Sequence, residues 1–594
     1  GPQGSIFGQG SLLGGISYRP NMPSENFEAN ISMGVGNFGE NIVSGIVNTP
    51  IVEQKLLLRV GSIYNNRDGY VENTFGGKLN GQNAFAGKFY LSYNPLSSTQ
   101  IKLMYDFEKN NTPANSFFTG LPNAYGDSDF FSGVISAVPG KNLKFNRIID
   151  LITLDVRHYF NNSLNIISIS SYRDVLTSEF WNADGAAANA LNFIEDDNYS
   201  QWYQELRLNY NSQKIKGFAG ISIYNEDMQA KRTNNPNEKN LFWLFYGDKD
   251  RFINPDGTPN NQEVVPALEG IPANLIGSPL TDQREEYMYT FSKNTSLDYF
   301  ADLTYSITPK LKLIGGIRLT QDFVESGYRG EDNGVPATIG FLRGSTRDYI
   351  NFKVLPQQSE KGSFTSFTGR AVLQYQLNRD ANLYFSYSTG RRPPVLQYSS
   401  GGDFLKLKAE TARNFELGYK QQPLPNLYYD LAVFYFQYSN FRTTSQKFGE
   451  PFAGTDGGKA SSYGFELSFK YNINNNLNLS ANYGYNRTRY DKEDANGNKQ
   501  QLAGQTFKLS PDHIFTLTSK LKTSLKKGIE LYTIPSFNYK SRFALFNNVK
   551  PGDPDNFYQN GYGLFNLIAG LHFEQAKIDF SVYSNNLFNK KDYF

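Results

Sequence analysis

Between residues 463 and 473 the chain alternates without a break. Tyr463, Phe465, Leu467, Phe469, Tyr471 and Ile473 hold the odd positions; Gly464, Glu466, Ser468, Lys470 and Asn472 hold the even ones. A β-strand sends successive side chains to opposite faces, so this stretch has one oily face and one hydrophilic face. Residues 311–320 repeat the pattern, with Leu311, Leu313, Ile317 and Leu319 opposing Lys312, Arg318 and Thr320. So do residues 477–485, where Leu477, Leu479, Ala481, Tyr483 and Tyr485 oppose Asn478, Ser480 and Asn482. Carried along the chain, the period of two predicts strands near 27–36, 41–48, 55–66, 83–94, 99–109, 150–161, 164–175, 199–211, 216–230 and 294–308. It predicts further strands near 311–324, 363–378, 381–391, 413–422, 427–440, 461–473, 477–490, 513–522, 529–541, 563–574 and 576–588, twenty-one in all.

The connectors sort by parity. Short ones such as Asn161-Asn162-Ser163, Pro309-Lys310, Arg379-Asp380 and Asn474-Asn475-Asn476 alternate with long ones near 111–149, 176–198, 231–293, 325–362, 392–412, 441–460, 491–512 and 542–562. Strands that climb and descend through a bilayer, with tight turns on one side and long loops on the other, produce this rhythm. A soluble sandwich has no reason to. The expected fold is all-β, a transmembrane antiparallel β-barrel of the plugged class of about 22 strands. Such barrels have even strand numbers, so a closing strand is expected beyond this chain, since an open edge in lipid is costly.

Composition sharpens the picture. Mean hydropathy is −0.50, and charged residues make up 19% of the 594. Yet 40 Tyr and 47 Phe against 3 Trp make the chain 15% aromatic. A chain polar on average and rich in aromatics suits strands with lipid on one side and water on the other. A net charge of +2 argues against a nucleic-acid partner. No apolar run approaches the length of a membrane helix, Leu241–Tyr246 being among the longest. With no Cys there is no disulfide framework and no thiolate metal site.

Several motifs resolve into plainer readings. Gly34-Val35-Gly36-Asn37-Phe38-Gly39 has the spacing of a dinucleotide fingerprint, with Glu53 downstream. That site needs a helix next; the β-branched 41–50, which holds Gly45 and ends in Pro50, predicts a hairpin. Asp196-Asp197, Asp248-Lys249-Asp250 and the acids of 325–332 lack the regular spacing of a Ca²⁺ loop and are expected as solvated loop charge. His158, His513 and His572 sit on or at the edges of separate strands, and Asp512-His513 adjacency is not triad geometry. No catalytic, metal or cofactor site is expected.

The opening residues complete the reading. Gly1-Pro2-Gln3-Gly4-Ser5-Ile6-Phe7-Gly8, followed by Gly14-Gly15-Ile16-Ser17, resembles the end of the plug domain of the TonB-dependent outer-membrane receptors. Ser17 stands where that family usually has Asn. Barrel stretches match in order: Gln204–Leu208, Asn414–Lys420, Ser462–Leu467 and Asn586-Leu587-Phe588. The resemblance implies a plug remnant at 1–25 and a barrel over 26–594. The signal peptide, TonB box, most of the plug and the last strand are then expected to lie outside this chain. It further implies a monomeric outer-membrane protein, surrounded by lipid, that imports a scarce nutrient, most often a ferric siderophore. The inner-membrane TonB–ExbB–ExbD complex would supply energy by rearranging the plug. Open alternatives are a passive porin-like barrel, a membrane-embedded hydrolase, and uptake of cobalamin, haem or oligosaccharide.

Charged residues within strands are the sharper candidates. An Arg or Lys facing lipid at mid-depth costs roughly 2–4 kcal/mol. Glu205, Arg207, Arg318, Glu466 and Lys470 should therefore point into the lumen, where they meet the plug or line a substrate path. Arg392 keeps the inward parity of Tyr384, Ser386 and Ser388 at an outer strand end, placed to meet an anionic ligand. Phe117, Phe118 and Trp243 lie in long outer loops, to grip a ligand or to pack loop on loop.

Overall fold

The structure is a computed structural model. It describes residues 1–591 apart from 9, 119–120, 130, 247, 249–250, 341–347, 400, 446–453, 495–496, 501 and 546–557. One 21-stranded antiparallel sheet dominates. Its first strands are β1 Glu28–Gly36, β2 Glu40–Val52, β3 Leu56–Arg67, β4 Gln82–Leu96, β5 Thr99–Pro113, β6 Lys144–Tyr159 and β7 Leu164–Asn182. Then come β8 Asn192–Asn211, β9 Ile215–Asn234, β10 Glu286–Ser306, β11 Leu311–Asp332, β12 Leu355–Asn378, β13 Ala381–Arg392 and β14 Glu410–Leu424. The last are β15 Leu427–Ser445, β16 Gly454–Asn474, β17 Leu477–Tyr490, β18 His513–Lys526, β19 Ile529–Lys540, β20 Tyr562–Phe573 and β21 Ile578–Ser584. Each pairs with the next in chain order, as in an up-and-down barrel.

The wall is inside-out relative to a soluble protein. On β11, Ile317 is 54% exposed and Phe367 beside it on β12 is 65% exposed, whereas Arg318 is 3% exposed. Asp298, Asp302, Thr320, Asp322 and Glu205 are likewise buried on the inner parity. Alternation therefore marks lipid against lumen, the premise of the sequence reading.

Every predicted strand is present, but the outer ends run further than expected. β7 continues to Asn182, β8 starts at Asn192, β11 reaches Asp332 and β12 starts at Leu355. These extensions rise above the oily band, where both faces are polar and the period-two signal disappears. Asp196-Asp197 and 325–332, expected in loops, are thus strand residues. The glycine fingerprint turns the β1–β2 hairpin through a 3-10 turn at Asn37–Gly39, with Phe38 and Gly39 at φ 57° and 65°. β1 and β21 run in the same direction, so they cannot complete an antiparallel ladder with each other. The Tyr583 hydroxyl of β21 meets Glu40 at 3.2 Å.

Two short α-helices stand apart from the sheet: α1, Gly4–Phe7, and α2, Glu238–Tyr246. α2 lies in the loop after β9. Its Leu241, Phe242 and Trp243 form a loop core with Phe252, Ile339 and Ile350.

Candidate functional site in the lumen

Strands β10 to β13 place a set of paired charges on the inner wall at middle depth. Arg318 Nη1 lies 3.1 Å from Asp298 Oδ2, and Arg370 binds Asp302 through two hydrogen bonds of 2.7 and 2.9 Å. Asp298 also accepts the Ser222 and Thr320 hydroxyls at 3.1 and 2.5 Å. Arg391 pairs with Asp322, which accepts the Ser296 hydroxyl at 2.7 Å. Buried charge on this scale is tolerable only when paired and hydrogen-bonded, and every one of these acids is.

Onto this wall sits the start of the chain. α1 packs on β10, β11, β12 and β13. Arg318 donates to the Ile6 carbonyl at 3.1 Å and to the Ser5 carbonyl at 3.5 Å, carbonyls at the end of a one-turn helix. The Ser11 hydroxyl bonds the Gly8 carbonyl at 2.8 Å, closing the turn that follows. Gly8 has φ 72°, and a Cβ there would lie 3.1 Å from the Arg318 guanidinium, so only glycine fits. On the wall, a Cβ on Gly390 would lie 2.8 Å from the Leu12 carbonyl and 2.9 Å from Pro2. Residues 13–23 then cross the lumen, mostly exposed. The chain is held again at the foot of the barrel, where buried Asn48 of β2 accepts from the Ser24 amide at 2.9 Å and donates to its carbonyl at 3.0 Å.

Above this seat lies a cavity of about 220 Å³, between Glu226, Asn294 and Asp322 of the wall and Arg392, Leu396 and Arg442 opposite. Arg442 donates to the carbonyls of Pro393 and Lys408 at 2.6 and 2.8 Å. Arg392 lies 3.5 Å from Glu410, with its side chain 58% exposed against 3% for the acid. A single exposed guanidinium fork at the mouth, braced from behind by a buried carboxylate, can accept a bidentate anion.

The expected residues divide. Arg318 meets the N-terminal segment, and Gly1, Pro2, Gln3 and Gly8 lie in its seat, with Gly14 near the Gly1 carbonyl and Gly15 against the Phe7 ring. Glu205 and Arg207 pair with each other at 2.5 Å on the inner wall instead. Glu466 and Lys470 share the inner parity of buried Ser462, but they are exposed on β16, away from the strands that seat α1. Trp243 takes the second of its two expected roles, loop-on-loop packing: at 6% exposure it is a loop-core residue packed on Phe242 and Tyr246, with Arg251 over its ring. Its apolar run drove it into a helix and hence inward. Phe118 packs on a second loop core, while Phe117 keeps an exposed face beside Trp181. Of the acidic triplet, Asp248 pairs with Arg251, and Lys249 and Asp250 lie outside the described residues.

Arg391 and Arg442 were not anticipated. Arg391 has lipid-facing parity, but the β12–β13 ladder stops at Ser388 while β13 stays paired with β14 to Arg392. At that split the Thr389 hydroxyl bonds both the amide and the carbonyl of Gly369, at 2.8 and 3.2 Å. Beyond the split, Arg391 reaches the inner wall. Arg442 follows Asn440, at φ 52°, where a bulge breaks the parity of β15.

In the outer loops two buried acids gather backbone amides. Asp184 accepts from Ala186, Ala190 and Leu191 at 2.8–3.2 Å. Glu238 accepts from Thr281 and Ile339, tying two loops together. Burial outweighs these bonds and raises Asp184 to about 6 and Glu238 to about 7. Among the described residues, no group of three or more His, Asp or Glu is placed to hold a metal ion.

The model of the TonB-dependent receptor-like β-barrel matches residues 62–587. Solved structures share the fold. The ferric yersiniabactin uptake receptor FyuA from Yersinia pestis aligns at TM-score 0.76 and 17% identity, over 100% of this chain and 79% of that one. The siderophore receptor PiuA from Acinetobacter baumannii gives 0.70 and 15%, over 100% and 82%. The ferric-catecholate import receptor Fiu from Escherichia coli K12 gives 0.67 and 17%, over 99% and 81%.

Proposed function

This chain belongs to the family of TonB-dependent receptors, which are transport receptors and not enzymes, and from that membership we propose that it takes up a ferric siderophore. Barrels of this type are outer-membrane proteins of Gram-negative bacteria, and the outer membrane is the location we assign. In this reading residues 1–25 are the part of the plug that touches the wall, and 26–594 are the barrel. TonB-driven rearrangement then frees α1 from Arg318 and opens the lumen. The ligand enters past Arg392, whose exposed guanidinium meets the anionic charge of an iron chelate, with Phe117 as an aromatic contact higher up.

The observation that carries this reading is the seat of the first twelve residues on a charged inner wall. A passive pore has no use for a segment so fixed across its lumen. Iron-starved cells lacking the gene should lose growth on one ferric siderophore and keep it on others. Normal growth on every siderophore tested, with lost growth on cobalamin, haem or an oligosaccharide, would move the assignment to that ligand. Uptake that persists when TonB is deleted would return it to a passive pore.

A further inference from the structure

On the inner wall, strands β8 and β9 bring four oxygen-bearing side chains together. Tyr199 and Gln201 lie two apart on β8, Tyr224 and Glu226 two apart on β9, so each pair shares the lumen face. Register sets Gln201 directly opposite Glu226, with the two tyrosines to either side. Glu226 Oε2 accepts from the Tyr199 hydroxyl at 2.9 Å and from the Tyr224 hydroxyl as well. The two phenol oxygens are 3.3 Å apart, and Gln201 Oε1 lies 3.2 Å from that of Tyr199. Asn294 of β10 donates to the other Glu226 oxygen at 3.0 Å and fixes the carboxylate. Glu226 and Asn294 also line the cavity of about 220 Å³.

The oxygens of Tyr199, Tyr224 and Glu226 form a triangle with a hydrogen bond or close contact on every edge. A small octahedral cation binds oxygen at about 2.0–2.1 Å, so ligands on one face of its octahedron stand about 2.9 Å apart. The triangle has the shape of that face, with protons where the metal would be. At about 30 Å³ per water the adjoining cavity has room for roughly seven, which suits a partly hydrated ion. Phenols select the ion. Mg²⁺ and Ca²⁺ take carboxylates, carbonyls and water, whereas tyrosine is a ligand of iron. Two phenolates and one carboxylate balance three positive charges. The Arg173 guanidinium, 6.0 Å from the Tyr199 ring centroid, puts a positive charge beside one phenol that must ionise.

We propose that Tyr199, Tyr224 and Glu226 bind one ferric ion directly, with water or a small oxyanion filling the positions that open into the cavity. Binding changes no oxidation state. One Fe³⁺ replaces the two phenol protons, which pass to water, and joins two phenolates and one carboxylate in a neutral complex. Asn294 keeps its bond to the free carboxylate oxygen and orients the ligand from behind. Two of the three donors are tyrosines, so the site needs no group of three His, Asp or Glu. The inference goes beyond the import reading, since it requires neither an intact siderophore nor TonB.

The test loads the purified chain, folded in detergent, with ferric nitrilotriacetate, removes the excess by gel filtration, and reads retained iron and the visible spectrum. The expected result is one ferric ion per chain with a phenolate-to-iron charge-transfer band. Tyr199→Phe and Tyr224→Phe should each weaken iron binding at least tenfold, and the double variant should lose the band. Tyr203→Phe removes the neighbouring phenol, which bonds Glu205 at 2.6 Å instead, and should change neither readout. Excess Mg²⁺ or Ca²⁺ should not displace the ion. Heat-modifiable gel migration reports a folded barrel, and Glu226→Gln replaces any tyrosine variant that does not fold. No retained iron, iron without the band, displacement by Mg²⁺ or Ca²⁺, or unchanged loading of the folded variants would overturn the proposal. Uptake of iron chelates is read in separate cells, so failure of either claim leaves the other standing.

Discussion

Replacing Arg318 by Met separates the grip on the N-terminal segment from the integrity of the wall. Arg318 holds the segment by one good charge-assisted bond, to the Ile6 carbonyl at 3.1 Å, and one at the limit of reach, to Ser5 at 3.5 Å. A hydrogen bond to a charged donor is worth about 1.5–3 kcal/mol, and counting the first fully gives roughly 2 kcal/mol. Local opening of the α1 turn should become about thirtyfold easier, at tenfold per 1.4 kcal/mol. The amides of Phe7 and Gly8, bonded to Gln3 and Gly4 carbonyls at 2.9 and 3.1 Å, report that opening by hydrogen exchange. The wall responds differently. Asp298, left buried without its partner, destabilises the barrel by about 3–5 kcal/mol. Adding Asp298→Asn should restore most of that loss without restoring protection of Phe7 and Gly8. Exchange that stays within threefold of wild type in the single variant would show that packing on Thr368 and Gly390, and not Arg318, holds the segment. That result would refute the reasoning.

Three further outcomes are expected. Arg391→Ala strands Asp322 in the wall and should lower stability in denaturant titration by about 3–5 kcal/mol, with Asp322→Asn recovering most of it. Asp184 and Glu238 bind protons more tightly folded than unfolded. Their loops should therefore be most protease-resistant below about pH 4, lose resistance from there upward, and level off once pH has risen through about 6 for Asp184 and about 7 for Glu238; Glu238→Gln should remove the part of the loss that runs on to about 7. Trp243→Ala should destabilise the loop core by about 3–5 kcal/mol, read as faster proteolysis after β9. Arg392→Gln, whose amide can still donate to the buried Glu410, should weaken binding of the proposed ferric-siderophore ligand at least tenfold while lowering stability less than Arg391→Ala does.

What the sequence disclosed follows the oily band closely. All twenty-one strands were legible because lipid on one face imposes a period of two, and their short turns were legible because nothing else fits between them. Above the band both faces are wet, so the upper turns of β7, β8, β11 and β12 carry no pattern and were read as loops. At the site, Arg318 was visible from parity against Ile317 and Leu319. Arg391 was hidden because its position depends on where two strands part, at Thr389. Arg442 was hidden by a bulge. Trp243 left two roles open, since an apolar run in a polar loop can grip a ligand or be covered, and here the physical pressure is to be covered.

The crossing stretch 13–23 forms neither helix nor strand. It is fastened at one end by Arg318 and the wall around Gly390, and at the other by Asn48, with few hydrogen bonds between. Fully drawn out, such a length reaches roughly 35 Å, most of the way along a barrel bore. A pull on α1 would therefore reach the foot of β1 only through this one unbraced length of chain.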